Sequence, residues 1–219
     1  FIINLMPLHK TINFSRNFGT TTKILLWKIT ESLAELSKEV TLNPKNQDRF
    51  NGMKSELHQR AFLSVRKLLQ LKGYTDFDLE YDQFGKPHLK DGKHISISHS
   101  HEYATIIISD EITGIDIEMQ REKIIKIAPK FAEKELEFLE KENQDYIRKL
   151  TVIWGVKESI FKIRNEAGIS FKDNICVQPF KIEDQSGIAD LHFQNKSTQF
   201  DFHFIEIDNF TLVYAFQQN

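Results

Sequence analysis

Apolar residues recur at every second position near the end of the chain. Phe200, Phe202 and Phe204 keep this spacing, and residues 212–216 repeat it. Because successive side chains of a β-strand point to opposite faces, the period predicts antiparallel strands with one face in the core. The fold must therefore include a sheet.

Three other segments show apolar residues at the spacing of a helix. Intervals of four, four and three predict a long helix over about residues 48–71, which Gly73 ends. The apolar residues around Phe131 and Leu139 predict a second long helical region. Residues 147–164 predict a third helix.

The remaining regular segments are predicted strands. Residues 23–29 indicate one strand, with Thr30 as the cap of a short helix, and residues 93–109 indicate two strands or a strand and a buried segment. Helices and strands together predict an α+β fold. No proline-rich or glycine-serine linker separates autonomous domains.

The composition is that of a folded protein with balanced charge. The 29 basic residues against 31 acidic ones argue against a protein whose main task is to coat nucleic acid. No apolar run exceeds five residues, so we expect neither a membrane span nor a secretion signal. The single cysteine, Cys176, cannot form an internal disulfide, which fits a reducing, cytoplasmic setting.

Two acidic residues lie on one face of a short predicted strand. In Gly114–Glu118, the period of two places Asp116 and Glu118 on one face and two isoleucines on the other. Carboxylates about 7 Å apart on a half-buried face need a compensating cation, and an oxygen-seeking ion such as Mg²⁺ is the natural candidate. The alternative is an exposed edge strand with solvated acids.

A second motif lies in the last predicted helix. Helical spacing places Trp154, Glu158 and Lys162 on a single face. Alone, this is an ordinary Glu–Lys pair beside a core tryptophan. Combined with the acidic strand, a third carboxylate and a lysine complete a metal site able to grip a phosphate.

Further basic and small polar residues are suited to anions. Ser98 and His99 end a predicted strand, and the loop at residues 85–87 (Gly-Lys-Pro) adds a fixed turn and one cation. The first long helix carries Arg60 and Arg66, in a segment with an excess of basic residues. A solvated helix face is the alternative interpretation of those arginines.

Taken in order, these motifs resemble the Sfp-type 4′-phosphopantetheinyl transferases of the holo-acyl-carrier-protein synthase superfamily. The resemblance covers residues 85–162 closely. It implies transfer of the phosphopantetheine arm of coenzyme A to a serine hydroxyl of an apo acyl, polyketide or peptidyl carrier protein, releasing adenosine 3′,5′-bisphosphate. It also implies a monomeric, pseudo-dimeric fold that binds coenzyme A in the cleft between two similar α+β halves, here residues 1–112 and 113–219.

The resemblance also implies roles for individual residues. Asp116, Glu118 and Glu158 resemble the ligands of the catalytic Mg²⁺, with Mn²⁺ as an alternative. Lys162 would stabilise or protonate the leaving phosphate, and Lys157 would support the phosphates. The serine must lose its proton, and either Glu158 or a water on the metal would accept it.

Residues of the first half would contact the nucleotide part of coenzyme A. His99, with Ser98, resembles the group that contacts the 3′-phosphate. Lys86 and Pro87 resemble the loop beside the adenine. The first long helix is expected to add a basic contribution, for which Arg60 and Arg66 are the candidates.

The same residues also fit other functions. A Mg²⁺-dependent phosphohydrolase or nuclease could use the same acids, although it would need a basic track for a polyanion. A carrier-protein-binding module without catalysis is a second alternative, and the presence of all three carboxylates with Lys162 argues against it. Zinc held by His94, His99 and His101 is a third, but their spacing matches no standard zinc site.

Overall fold

The computed structural model describes residues 8–14 and 20–218 of the chain. It mixes helices and antiparallel sheets, so the α+β prediction is confirmed. The chain divides into two compact units, Phe1–Glu111 and Ile112–Asn219. Among the described residues, no helix is both long and apolar enough to cross a membrane.

The first unit contains a four-stranded antiparallel sheet in the order β1-β2-β6-β5, and β3 and β4 pair in a separate ribbon. Its strands and helices are β1 (Leu8–Phe14), β2 (Thr22–Lys28), α1 (Leu33–Glu39), α2 (Pro44–Asn51), α3 (Glu56–Gln70), β3 (Leu79–Tyr81), β4 (Pro87–Leu89), β5 (His94–Ser100) and β6 (Tyr103–Ser109). The strand predicted over residues 23–29 is confirmed as β2. The segment over residues 93–109 forms two strands.

Helix α3 supplies much of the core of this unit. Ala61, Val65 and Leu68 recur at helical spacing and are at most 2% exposed, in one cluster with Leu25 and Trp27 of β2. Burial of such a stripe is what stabilises an amphipathic helix within a domain. Helix α3 is therefore held against the sheet by its apolar face.

Two predictions about helix boundaries in this unit were wrong. The long helix expected over residues 48–71 is two helices, because α2 ends at Asn51 with Gly52 as its cap and α3 begins only at Glu56. Helix α1 is capped by Ser32 and not by Thr30. The Ser32 hydroxyl accepts from the Glu35 backbone N–H, and the Glu35 carboxylate accepts from the Ser32 N–H in return.

The second unit contains a five-stranded antiparallel sheet in the order β7-β11-β10-β9-β8. Its strands and helices are β7 (Thr113–Met119), α4 (Lys123–Ile127), α5 (Tyr146–Arg164), α6 (Phe171–Asn174), β8 (Ile175–Val177), β9 (Ser186–Phe193), β10 (Lys196–Ile207) and β11 (Phe210–Gln217). The antiparallel strands predicted at the end of the chain are confirmed, and Phe200, Phe202 and Phe204 are at most 1% exposed. The helix predicted over residues 147–164 is confirmed as α5.

The second long helical region was predicted wrongly. Between β7 and α5 the chain forms only the short helix α4 and two 3₁₀ turns, at Ala128–Lys130 and Lys134–Glu137. Pro129 lies in the first turn, where its missing N–H prevents continuation of an α-helix. Phe131 and Leu139 are nevertheless buried, as expected.

Two glycines let helix α5 lie directly against strands β7 and β11. A Cβ atom on Gly114 would stand 2.1 Å from the carbonyl oxygen of Ser159, and one on Gly155 would stand 2.6 Å from Cγ2 of Val213. Both distances are too short for any side chain. The glycines therefore permit an approach that brings the helix beside the acidic strand.

Candidate active site

The acidic residues lie on strand β7, where it pairs with β11. Asp116 stands opposite Val213 and is 4% exposed, while Glu118 stands opposite Thr211 and is half-buried. Ile115 is fully buried, as the alternating pattern requires. The strand therefore places two carboxylates at successive positions on the face that helix α5 covers.

Lys162 reaches back from helix α5 to this strand. Its ammonium lies 2.8 Å from Oδ1 of Asp116 and 2.9 Å from the carbonyl oxygen of Ile115, to which it also donates. The Lys162 side chain is 27% exposed, so its charge is still in contact with solvent. A cation held here can also meet an oxygen of a bound phosphate.

Glu158 lies one helical turn before Lys162 and is half-buried. Burial raises the pKa of Glu158 to about 7, and the negative charges of Asp116 and Glu118 act in the same direction, while Lys162 opposes them. Because charges perturb a pKa appreciably only at short range, the three carboxylates and the lysine form one electrostatic cluster. Residues that the sequence placed in two separate motifs are thus brought together.

A divalent cation fits the chemistry of this cluster. Three ionised carboxylates against one ammonium would leave two negative charges in excess, and the pKa of Glu158 is raised first by burial and further by the charges of Asp116 and Glu118. Carboxylate oxygens are the ligands that Mg²⁺ prefers. Within residues 8–14 and 20–218, no group of three or more histidine, cysteine or carboxylate side chains is arranged so that it could already hold a metal ion.

A small cavity of about 130 Å³ adjoins the acidic cluster. It is lined by Glu118, Met119, Arg121, Lys123, Ile124, Ile127 and Trp154. The Trp154 ring is held edge-on to Phe131, with ring centroids 5.0 Å apart. The wall beside the acids is therefore partly apolar, with basic residues at its edge.

The prediction that Lys157 supports the phosphates is wrong. Its side chain is fully buried, and its ammonium lies 2.7 Å from Oε1 of Glu135, which is 1% exposed. Burial lowers the pKa of Lys157, and the carboxylate of Glu135 opposes that effect. Neighbouring residues of a helix point about 100° apart, so Lys157 faces the interior while Glu158 faces the acidic strand.

The prediction that Arg66 binds the cofactor is also wrong. Its side chain is 2% exposed and forms a buried ion pair with Asp76, with 2.8 Å between Nε and Oδ1. Asp76 also accepts from the backbone N–H of Asn43, at 2.7 Å. Arg66 therefore joins helix α3 to the segments before and after it, and its charge is not accessible to an anion in solution.

Arg60 is half-buried and donates to main-chain oxygens. Its Nε donates to the carbonyl of Glu31 at 2.8 Å, and Nη2 donates to the carbonyl of Ile29 at 3.2 Å. These contacts fix the guanidinium beside the segment that follows strand β2. The role of Arg60 toward a cofactor stays a prediction.

The other predicted nucleotide-binding residues lie on or beside strands of the first unit. On β5, Ser98 is buried and His99 is exposed. The ring of His58, on helix α3, lies 5.7 Å from that of His99, a pairing that the sequence did not indicate. The loop at Lys86 is held by Asp82, whose carboxylate accepts from the Lys86 backbone N–H at 2.9 Å, and Pro87 begins strand β4.

Two comparisons with known proteins bear on the family of this chain. Residues 112–215 match the model of the 4′-phosphopantetheinyl transferase superfamily. The chain is 37% identical over 120 residues to the 4′-phosphopantetheinyl transferase gsp of Aneurinibacillus migulanus. That alignment covers 53% of this chain and 48% of the relative, so the chain spans about half the length of the curated relative it matches.

The match includes the whole acidic cluster, from Asp116 to Lys162. Residues 112–215 therefore belong to the 4′-phosphopantetheinyl transferase superfamily. The superfamily that the sequence motifs resemble is confirmed for residues 112–215.

Proposed function

We propose that this protein transfers the 4′-phosphopantetheine moiety of coenzyme A to a serine hydroxyl of an apo carrier protein. The serine oxygen forms a bond to the phosphorus next to the pantetheine arm, and the bond from that phosphorus to the bridging oxygen breaks. The products are the holo carrier protein and adenosine 3′,5′-bisphosphate. The observation that carries the proposal is the cluster of three carboxylates and one lysine inside the region that matches the family.

Asp116, Glu118 and Glu158 are the residues that would hold Mg²⁺. The bound ion supplies positive charge that offsets the charge of the pyrophosphate. Lys162 donates to the leaving phosphate oxygen, and its place beside Asp116 keeps its ammonium oriented. The serine must lose its proton, and either Glu158 or a water on the metal would accept it.

For the nucleotide part of coenzyme A we retain four residues of the first unit. His99 and Ser98 would contact the 3′-phosphate, and Lys86 and Pro87 would flank the adenine. The exposed imidazole at strand β5 and the fixed loop before β4 support this assignment. Arg60 remains the basic candidate from helix α3.

We also propose a monomer in which residues 1–112 and 113–219 are two related halves. Each unit has an antiparallel sheet and one long helix, which supports this division. The single cysteine supports a cytoplasmic setting, where coenzyme A and carrier proteins are the expected partners and neither nucleic acid nor membrane is required.

The test is intact-mass spectrometry of apo acyl carrier protein after incubation with this protein, coenzyme A and Mg²⁺. We expect a gain of one phosphopantetheine that EDTA abolishes. The variant Glu158→Gln should abolish transfer, while the matched variant Glu137→Gln should retain it, because Glu137 is exposed on the 3₁₀ turn outside the cluster.

Different failures would identify different alternatives. Binding of coenzyme A without transfer to acyl, polyketide or peptidyl carriers would indicate a carrier-binding module. Release of nucleotides from DNA or RNA would indicate a hydrolase. Full transfer by Glu158→Gln at ordinary Mg²⁺ would contradict the assignment of the site.

A further inference from the structure

Lys157 is bonded to main-chain atoms as well as to Glu135. Its ammonium donates to the carbonyl oxygens of Phe131, Phe171 and Ile175, at 2.8, 2.9 and 2.6 Å. An ammonium has three N–H donors, and it is surrounded here by four oxygen acceptors. The side chain is therefore fully occupied inside the protein.

These acceptors come from separate parts of the second unit. They lie in the segment between α4 and α5, at the start of α6 and at the start of β8. Glu135 extends the network, because its Oε1 accepts from the backbone N–H of Val177 at 2.9 Å. Lys157 thus joins helix α5 to three neighbouring segments at one point.

Trp154 reinforces the same attachment one turn earlier. Its ring lies 5.0 Å from that of Phe131 and 5.5 Å from that of Phe171. These are two of the residues whose carbonyl groups Lys157 holds. Two side chains on one side of the helix therefore contact the same two residues: Trp154 packs on their rings, and Lys157 donates to their backbone carbonyls.

We propose that the buried Lys157–Glu135 pair is a positioning element that sets the rotation of helix α5. A helix turns about 100° per residue, so fixing Lys157 toward these carbonyls fixes Glu158 toward strand β7. Lys162 lies one turn beyond Glu158 and follows the same rotation. Lys157 itself touches no substrate, and this inference rests on the proposed function of the cluster.

The variant chosen for the test must separate positioning from stability. Removing Lys157 alone would leave the Glu135 carboxylate buried without its partner, which is strongly destabilising. Replacing both residues by apolar ones of similar volume avoids this, since such replacements of buried ion pairs are often neutral. The double variant Lys157→Met/Glu135→Leu leaves no buried charge unpaired, but it removes the hydrogen bonds to the three carbonyls and to the Val177 N–H, so urea denaturation first checks that it folds.

Kinetics of transfer to apo acyl carrier protein give the first measurement. We expect the double variant to lose kcat by on the order of 100-fold, the effect of displacing reacting groups by about 1 Å, while the KM for coenzyme A stays within about twofold. Lys172→Met is the matched control, because it removes a half-buried lysine of α6 whose ammonium lies 3.3 Å from a carboxylate oxygen of Glu133 and not among the three carbonyls. That control should behave as wild type.

A spectroscopic measurement follows the helix without relying on activity. Fluorine NMR of protein labelled with 5-fluorotryptophan gives one line for each of Trp27 and Trp154, assigned with Trp27→Phe. We expect the Trp154 line to move in the double variant and the Trp27 line, from the other unit, to stay. If the double variant does not fold, Glu135→Gln replaces it. We then expect the Trp154 line to move in the same direction and kcat to fall by a smaller factor.

The outcomes separate the possible roles of Lys157. An unmoved Trp154 line with unchanged kcat would overturn the proposal and leave the pair a purely structural one. A KM for coenzyme A raised about tenfold with kcat retained would also overturn it, since it would indicate contact with the phosphates. If the wild-type protein modifies no carrier, the proposed function fails, and the Trp154 line alone decides whether the pair positions the helix.

Discussion

Gly155 lets helix α5 lie close to Val213 of strand β11, and Gly155→Ala tests whether that approach matters for the proposed transfer. The added Cβ would lie 2.6 Å from Cγ2 and 3.1 Å from Cβ of Val213. Rotating Val213 would not relieve the clash, because its Cβ is itself too close and the residue is 0% exposed. Carbon atoms prefer separations of about 3.5–4.0 Å, so the helix must move outward by about 1 Å.

This displacement affects stability and activity to different degrees. Overpacking costs about 1–3 kcal/mol, whereas alanine gains about 1 kcal/mol over glycine inside a helix, so we expect a net loss of at most about 2 kcal/mol. Glu158 and Lys162 follow within two turns, and a shift of about 1 Å can lower a rate on the order of 100-fold. Activity should therefore fall while the protein stays folded.

The assay combines the rate of carrier modification with urea denaturation. Gly52→Ala is the matched control, since its Cβ would come no closer than 3.5 Å to a neighbouring atom and it lies in the other unit. Full activity of Gly155→Ala with unchanged stability would refute the reasoning, because the added Cβ would then fit beside Val213 without moving the helix. A loss of activity in both variants would equally refute it.

Three further predictions concern single contacts. Lys162→Met should lower kcat about 10²–10³-fold, because it removes one donor to the leaving phosphate. Thermal denaturation should also show a lower Tm, because the buried Asp116 carboxylate loses its ion pair. Arg66→Met should destabilise the protein to urea by about 3–5 kcal/mol by leaving Asp76 buried without its partner; a raised KM for coenzyme A at unchanged stability would contradict this. Arg148 lowers the pKa of Glu206, so the pair adds stability above the ordinary carboxyl pKa and this stability is lost as pH falls through the lowered value. Glu206→Gln should therefore make stability, measured by urea titration from pH 7 to pH 3, less dependent on pH, and an unchanged dependence would count against the pair.

Local patterns accounted for much of the fold. The period of two in residues 200–216 and the helical spacing in residues 147–164 both predicted the observed elements, because each pattern reports directly which face is buried. Helix boundaries were less predictable. Helix α2 ends at Gly52 and a 3₁₀ turn contains Pro129, although apolar residues continue beyond both positions.

In the candidate site, too, local relations were predictable and contacts between elements were not. The sequence placed Asp116 and Glu118 on one strand face and Glu158 and Lys162 on one helix face, since both relations follow from local periodicity. The sequence could not show that Gly155 lets helix α5 lie against the sheet, because that contact is made with Val213 of strand β11. The pairing of His58 with His99 was missed for the same reason.

The sequence by itself determined the α+β class, the acidic strand, the helix that carries Glu158 and Lys162, and the family that these motifs resemble. The tertiary structure decided which cations are accessible. In a local sequence pattern, Lys157 and Arg66 look the same as surface residues. Their partners, Glu135 and Asp76, lie more than one helical turn away in the chain and contact them in the interior. A buried charge is recognised only from its partners, and those partners are brought together by the fold.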